Sequence, residues 1–253
     1  MRSQSQRFPV GPGPRYKQVL MFSMLRRDIE AALKNDPAAR GALEVLLAYP
    51  GVHALWLHRV AHLLWKRGLR LTARVVSHYN RFLTGVEIHP GAQIADGVFI
   101  DHGMGVVIGE TAVVETGCII YKGVVLGGTS QERKTRHPHL ARNVTIGSNA
   151  CVLGAIHVGE GARIGSASVV ISDVPPGATV VGVPGRIVRN GPQPQDTLDH
   201  ASMPDPVADV LRALTAQQDA LIERLSRLEK AMRLGRPEEP QEGDPRRRAG
   251  SIF

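Results

Sequence analysis

Aromatic residues and cysteines are both scarce in this sequence. Only 4% of its 253 residues are Phe, Trp or Tyr, whereas glycine occurs 27 times and proline 17 times. A core must therefore be built from aliphatic side chains, and the chain must turn often, which favours short strands. The two cysteines, Cys118 and Cys151, have apolar neighbours and no CxxC spacing. We therefore expect packed thiols in a reducing compartment, not a disulfide framework or a metal site.

Long apolar runs are also missing. No segment approaches the roughly 20 apolar residues that span a bilayer, and the basic N-terminus lacks the apolar stretch of a secretory signal. These absences predict a cytoplasmic protein without membrane association. The formal net charge of +8 comes from 31 Lys and Arg residues spread along the chain. Because no aromatic residues are interleaved with them to stack on bases, nucleic-acid binding is not expected.

The composition divides the chain into six segments. Residues 1–20 are rich in Gly, Pro and Arg and are predicted to be a disordered extension. Residues 21–84 carry apolar residues three and four apart, which predicts a small helical domain, with a helix starting at Asp36 as the N-cap. Residues 85–190 form the repeat region. A Pro-rich linker, 191–206, leads to a predicted helix at 207–234 and a disordered charged tail at 235–253.

The helix predicted at 207–234 has a heptad pattern. Its seam residues alternate at spacings of four and three: Val207, Leu211, Leu214, Gln218, Leu221, Leu225, Leu228 and Met232. This spacing is typical of a coiled coil, in which a single polar seam residue such as Gln218 fixes the register. The alternative is an amphipathic helix that lies on its own domain.

An aliphatic residue recurs every six positions in the segment 85–190. The members are Ile88, Ile94, Ile100, Ile108, Val114, Ile120, Leu126, Ile146, Val152, Val158, Ile164 and Val170. A six-residue period fits neither a helix nor an alternating strand, and it predicts a parallel β-solenoid with a triangular coil. Each aliphatic side chain should stack inward on the one a coil below. The glycine that often follows it is expected to accept the backbone angles of the corner.

The six-residue period is interrupted twice, and a solenoid accommodates extra residues only at its corners. Two extra residues occur in "DHGMG" beside Asp101 and His102, and about eight occur between Leu126 and Ile146. His102 is a candidate general base. Glu87 is a candidate to orient its ring, because a coil takes about eighteen residues and neighbouring corners can meet. A corner histidine that only bonds locally is the alternative.

Several strings between Met24 and Val188 closely resemble the serine acetyltransferases, a family of hexapeptide-repeat acyltransferases: "DPAA", "GVHAL", "HRVAHLLW", "EIHPGA", "DHGMGVVIGETAVV", "GVVLGGT", "RHP" and "GVPGRIV". The resemblance implies an α+β fold in which a helical domain precedes a left-handed parallel β-helix. It also implies a homotrimer, or a higher assembly, with active sites between subunits. The implied reaction transfers acetyl from acetyl-CoA to the hydroxyl of L-serine, giving O-acetyl-L-serine for cysteine biosynthesis, without a metal.

The resemblance also assigns site residues by motif. His102 matches the general base, and Glu87 matches the residue that orients it, which is Asp in many relatives. The positions that hold the serine ammonium and carboxylate are Asp36, Asp101, Arg136 and His137. The positions that line the acetyl-CoA site are Gly128, Thr129, Ser148, Ser166, Arg163 and Arg186. Carboxylates suit an ammonium group, and a guanidinium suits a carboxylate.

Other functions remain open at this point. One is a hexapeptide O-acetyltransferase for another hydroxyl, such as a sugar, although "DPAA" and "RHP" argue against it. Others are a zinc-dependent hydratase using His102, His137 and His157, and a non-catalytic trimeric scaffold. Many relatives end in isoleucine, which binds O-acetylserine sulfhydrylase. Since this chain ends in Ile252 and Phe253, that partnership is open.

Overall fold

A computed structural model describes residues 14–189, residue 191 and residues 206–234. Residues 14–189 form one compact unit, and the C-terminal helix belongs to a second. The predicted tail at 235–253 lies outside the described residues, as does nearly all of the linker at 191–206. The same holds for Ile252 and Phe253, on which a sulfhydrylase partnership depends. The helical, β-helical and C-terminal helical parts expected from the sequence are all present.

The N-terminal part is helical, as predicted. Its helices are α1 (Pro14–Asn35), α2 (Ala42–Ala48), α3 (Pro50–Lys66) and α4 (Arg70–Thr84). α1 begins inside the segment 1–20 that was expected to lack structure, because Pro14 suits a first turn and no Gly or Pro follows before Pro37. Within the described residues, no helix is long and apolar enough to cross a membrane.

The predicted helix start at Asp36 is wrong. α1 has just ended there, and the Asp36 N–H still donates to the Ala32 carbonyl at 2.9 Å. Asp36 Oδ1 accepts the N–H of Ala38 at 2.8 Å, which forms a turn, and α2 begins only at Ala42. An aspartate side chain that accepts a nearby backbone N–H can cap a helix or stabilise a turn. The local sequence therefore does not distinguish a helix cap from a turn.

The repeat region folds into fifteen short strands. They are β1 (Glu87–Ile88), β2 (Gln93–Ile94), β3 (Phe99–Ile100), β4 (Val107–Ile108), β5 (Val113–Val114), β6 (Ile119–Ile120), β7 (Val125–Gly127), β8 (His139–Leu140), β9 (Thr145–Ile146), β10 (Cys151–Leu153), β11 (His157–Val158), β12 (Arg163–Ile164), β13 (Val169–Val170), β14 (Thr179–Val181) and β15 (Arg186–Arg189). Sheet A contains β1, β4, β7, β10 and β13; sheet B contains β2, β5, β8 and β11; sheet C contains the remaining six. Strand pairing is parallel except between β14 and β15. The chain visits the three sheets in turn, which makes a triangular parallel β-helix.

The strand register confirms both interruptions of the repeat. Coil partners Val107 and Val125 are 18 residues apart, Glu87 and Val107 are 20 apart, and Val113 and His139 are 26 apart. The two extra residues lie at the corner between sheets C and A, and the eight extra residues lie at the corner between sheets A and B. Sheet pairing therefore continues undisturbed past both insertions.

The aliphatic column fills the interior as predicted. Eleven of the twelve residues are buried, and Ile94 is partly buried against the same cluster. Leu140 is fully buried in the column as well. Counting in steps of six from Leu126 did not identify Leu140, because the insertion lengthens that step by eight residues.

The glycines that follow the aliphatic residues have a different role from the one predicted. Gly109 and Gly147 do not have positive φ. A Cβ on Gly147 would lie 2.6 Å from the backbone nitrogen of Ser166, so close stacking of successive coils requires glycine here. Left-handed angles are instead found two residues before the strands, as at Gly117, with φ of 75°.

The helices and the first coil share one core. Ala54 and Leu55 of α3 belong to the same buried cluster as Ile88 and Ile100. A Cβ on Gly51 would lie 2.1 Å from the carbonyl oxygen of Ile100, so α3 lies directly on β3. The predicted helical domain is therefore continuous with the β-helix, and it places the α1–α3 loops beside the first coil.

A buried carboxylate ties these elements together. Asp28 of α1 is fully buried and forms a two-point ion pair with Arg59 of α3. It also accepts the indole N–H of Trp56 at 3.0 Å and the backbone N–H of Gly97 at 3.1 Å. Because a buried carboxylate is costly unless it is fully paired, this set of bonds fixes the helices on the corner that contains Gly97.

Both cysteines are free. Cys118 is buried in the core, and burial raises the pKa of its thiol to about 12. Cys151 is only partly buried. A protonated core thiol is a packing group, which agrees with the interpretation of Cys118 from the sequence.

Candidate active site

The corner between sheets C and A in the first coil carries His102. The backbone there is left-handed at His102, Gly103 and Gly105, with φ of 58°, 67° and 77°. Positive φ is uncommon for a residue with a side chain, although histidine is among the types that tolerate it. The His102 side chain is 73% exposed. The two extra residues thus make a turn that projects an imidazole out of the β-helix.

Two carboxylates lie beside this corner. Partial burial raises the pKa of Asp101, and the negative charge of Asp36 raises it further, while the neighbouring His102 opposes the shift. Asp101 Oδ2 is 3.7 Å from His102 Nε2. Carboxylates close enough to repel one another form a favourable site for a cation. The structure therefore brings Asp36, Asp101 and His102 together.

Tyr49 is an additional member of this group. Its hydroxyl donates to Asp36 Oδ2 at 2.5 Å. Burial, together with the hydrogen bond and charge of Asp36, raises the pKa of Tyr49 to about 12, so the phenol remains a donor. No sequence signal marked Tyr49, because it is a single residue between α2 and α3. Its partner, Asp36, was predicted to cap a helix.

Glu87 occupies the start of β1 near the same corner. Its Oε2 is 3.3 Å from Arg81 Nη1, and its side chain is 40% exposed. Among the described residues, no hydrogen bond or ion pair joins Glu87 to His102. Its role in orienting that ring stays a prediction.

The second group of predicted residues lies at the corner between sheets A and B. Thr111 Oγ1 accepts the backbone N–H groups of Arg136 at 3.0 Å and His137 at 3.1 Å. The guanidinium of Arg136 pairs with Glu110 at 2.9 Å. Glu110 and Thr111, from the coil below, therefore hold the inserted loop down. Both belong to the "IGET" string, yet their spacing alone did not indicate this role.

The neighbouring imidazole has a defined tautomer. His137 is only 8% exposed, and its Nδ1 accepts the Thr111 N–H at 3.2 Å, which leaves the proton of the neutral ring on Nε2. Burial lowers the pKa of His137, Arg136 lowers it further, and Glu110 opposes this. A Cβ on Gly109 would lie 2.1 Å from His137 Nε2, so glycine makes room for the ring. This corner thus combines a guanidinium with an N–H donor, which suits an anion.

Four of the six residues predicted to line the acetyl-CoA site lie at the same two corners. Gly128 and Thr129 begin the inserted loop, and a Cβ on Gly128 would lie 3.2 Å from His137 Nε2. Ser148 and Ser166 are in successive coils at the corner between sheets C and A, where the Ala167 N–H donates to the Ser148 carbonyl at 2.8 Å. The two arginines are Arg163 on β12 and Arg186 on β15. One chain does not gather all six in one place.

Apart from Arg163 and Arg186, the predicted site residues form two groups at different corners of the β-helix. The first contains a candidate base with carboxylates, and the second contains the Arg136 guanidinium, paired with Glu110, beside the His137 ring. His157, proposed with His102 and His137 as a zinc ligand, lies apart from both on β11. The described part of the chain holds no group of three His, Cys, Asp or Glu residues that could bind a metal.

Comparison with known proteins identifies the family. No protein-family model matches the chain. A serine acetyltransferase from Synechococcus elongatus is 53% identical over 208 residues, which cover 82% of this chain and 85% of the relative. The chain belongs to the serine acetyltransferase family. The resemblance seen in its motifs is therefore confirmed, and the chain is an acyltransferase.

Solved serine acetyltransferases have the same fold. The soybean enzyme complexed with serine has a TM-score of 0.64 and 44% identity, covering 66% of this chain and 68% of that one. The Brucella abortus enzyme in complex with coenzyme A has a TM-score of 0.67 and 39% identity, covering 70% of this chain and 72% of that one. The hexapeptide-repeat fold class expected from the sequence is confirmed.

Proposed function

We propose that this chain transfers the acetyl group of acetyl-CoA to the hydroxyl of L-serine, with His102 as general base, at sites shared between adjacent copies in a homotrimer. The product is O-acetyl-L-serine, a precursor for cysteine biosynthesis. The observation that carries the proposal is the division of the predicted residues between two corners of one β-helix. L-Serine carries an ammonium and a carboxylate, and it needs both groups of residues at once. A neighbouring copy can supply the second corner.

Serine binding follows from the charges at the two corners. Asp36 and Asp101 hold the ammonium group, because two adjacent carboxylates are relieved of their repulsion by a cation. Arg136 and His137 of the adjacent copy hold the carboxylate, since a guanidinium and an N–H donor fit its oxygens. Attachment at both ends limits the rotation of the substrate and directs its hydroxyl toward the corner of His102.

The chemical step requires proton removal. A serine hydroxyl is a weak nucleophile near neutral pH, so His102 takes its proton as the oxygen attacks the thioester carbonyl, an effect typically worth about 10² to 10⁴-fold. The carbon–sulfur bond then breaks, and the departing CoA thiolate takes the proton from His102, which returns the imidazole to its neutral form. No covalent acyl-enzyme is needed. Glu87 orients the imidazole of His102 after the Glu87 carboxylate separates from Arg81. The partly exposed side chain of Glu87 permits this movement.

Acetyl-CoA lies in the groove between adjacent β-helices in this proposal. Small residues at the corners, Ser148 and Ser166 on one side and Gly128 and Thr129 on the other, let the pantetheine arm approach the backbone. Arg163 and Arg186 then meet the phosphates. A neighbouring copy brings the two sides of this groove together.

Mixing two inactive variants tests the shared site. His102→Ala and Arg136→Ala each remove one half, so each alone should have little activity. In mixed trimers formed by co-expression, roughly a quarter of the sites combine an intact His102 with an intact Arg136 from the neighbour, as three-fold symmetry requires. Activity near a quarter of the wild-type rate, with L-serine as acceptor and thiol release as readout, is the expected result.

The control is co-expression of His102→Ala with Asp101→Ala, which damage the same corner and should not restore activity. If the first mixture also stays inactive while native mass spectrometry shows mixed trimers, the site is not shared. If the wild-type protein transfers acetyl only to a hydroxyl acceptor other than L-serine, the substrate assignment is wrong.

A further inference from the structure

The C-terminal helix, α5 (Pro206–Leu234), has an apolar stripe that is open to solvent. The seam side chains from Leu211 to Met232, apart from Gln218, are leucines and a methionine, each at least 55% exposed. Val210 and Ile222 flank them and are also exposed. Long exposed apolar stripes are unfavourable, and an isolated helix of this length gains little stability from its backbone alone. The stripe needs a partner.

The spacing of the stripe indicates what the partner is. Leu211, Gln218, Leu225 and Met232 occupy the a positions of successive heptads, and Leu214, Leu221 and Leu228 occupy the d positions. A strict seven-residue repeat drifts around a straight helix but stays on one face of a left-handed supercoil. Such a seam therefore fits another helix with the same repeat, and the simplest such helix is α5 of another copy.

We propose that α5 pairs with α5 of other copies of this chain as a parallel, in-register coiled coil. In register, the Gln218 side chains of neighbouring helices face one another, and their amides hydrogen-bond. A shift by one heptad would bury each amide against Leu225 or Leu211 without a partner, which is costly. A single polar a residue thus selects one alignment.

The charges beside the seam favour the parallel orientation. Arg227 pairs with Glu223 of its own helix at 2.5 Å. Arg224 has no such partner in sequence, because the residues three and four positions away are Ala220, Leu221, Arg227 and Leu228. Side chains at e and g interact across a coiled coil and set its orientation. In parallel helices, Arg224 at g faces Glu229 at e of the neighbour.

An antiparallel pair would not satisfy this arginine. There, g positions face g positions, and the g residues of α5 are Val210, Gln217, Arg224 and Ala231, none of which is acidic. The apolar residues Val210 at g and Ile222 at e also widen the stripe beyond the a and d seam that a two-stranded coil buries. The width fits three helices. The number of helices in the coiled coil, three, rests on the homotrimer proposed above. The parallel orientation and the register do not depend on that proposal.

Single cysteine substitutions in the full chain test orientation and register. Leu211→Cys lies near one end of the seam, Leu228→Cys near the other, and Ala216→Cys at the outward f position is the matched control. In a parallel, in-register coil, residues at the same seam position approach within disulfide reach. Under mild oxidation, Leu211→Cys and Leu228→Cys should each give at least five times more interchain cross-link than Ala216→Cys on a non-reducing gel. The native cysteines, Cys118 and Cys151, are present in all of these variants, so any cross-linking through them is common to the samples compared.

Two outcomes would overturn the proposal. Cross-links that form only when Leu211→Cys and Leu228→Cys chains are mixed would mean antiparallel helices. Cross-linking no greater than the Ala216→Cys control would mean that α5 packs on its own domain or binds another partner. Gln218→Cys removes no apolar contact, so it tests the parallel orientation if the leucine variants lower stability, while the register is tested by the leucine variants, which keep Gln218. Acetyl transfer by the reduced samples is measured in parallel, which separates failure here from failure of the proposed function.

Discussion

The two insertions in the β-helix differ in how firmly their own chain holds them. The longer loop is fixed by Thr111 and Glu110, and His137 within it is 8% exposed. The shorter one presents His102 with its side chain 73% exposed and the Asp101 carboxylate 3.7 Å from its Nε2. The proposed anion-binding half of the site is thus preorganised within one chain. The half that carries the candidate base is exposed, as the proposed binding of a substrate beside a neighbouring copy requires.

The largest expected effect comes from removing the base at the open corner. His102→Ala should lower kcat for acetyl transfer to L-serine at least about a hundredfold, because the hydroxyl proton then has no acceptor. Steady-state assays of thiol release measure this, and native mass should stay unchanged. The matched control is His78→Ala, an exposed histidine on α4 without an assigned role. A kcat within a few-fold of wild type would mean that His102 is not the general base. The contrast between the two insertions would then not apply to catalysis.

A smaller effect is expected at the preorganised corner. Arg136→Lys keeps the charge but loses the planar fork that fits a carboxylate and the bond to Glu110, so KM for L-serine should rise about tenfold or more. KM for acetyl-CoA should change little. Arg133→Lys, an exposed change in the same loop, is the control. A fall in kcat with an unaltered KM for L-serine would contradict an anion-binding role for this corner.

The smallest effect is expected at Tyr49, which joins the open corner to the helices. Tyr49→Phe removes one hydrogen bond to Asp36 and should raise KM for L-serine about three- to tenfold, with kcat nearly constant. Tyr79→Phe, at an exposed site on α4, serves as the control. If both variants match the wild type in KM, the phenol does not position Asp36. If kcat falls instead, Tyr49 acts on the chemical step.

Much of the fold was predictable because repeats are read directly from a sequence. The aliphatic column from Ile88 to Val170 predicted the β-helix, and the two phase breaks located the corners that carry Asp101, His102, Arg136 and His137. The errors were local. Asp36 was predicted to cap a helix, because a turn uses the same hydrogen bond. Gly147 was predicted to adopt left-handed backbone angles, whereas glycine is needed there because Ser166 of the next coil leaves no room for a side chain.

The sequence by itself determined the period of the β-helix, the chemical types at its corners and the family, since these depend on order along the chain. Only the tertiary structure decided which residues meet across it. Tyr49 on Asp36, Thr111 under the Arg136 loop and Asp28 buried against Arg59 are contacts between segments 13 to 31 residues apart. Such pairs leave no periodic trace, because their partners are chosen by how helices and coils pack in three dimensions. That packing also placed the candidate residues at two separate corners, which no spacing along the chain could reveal.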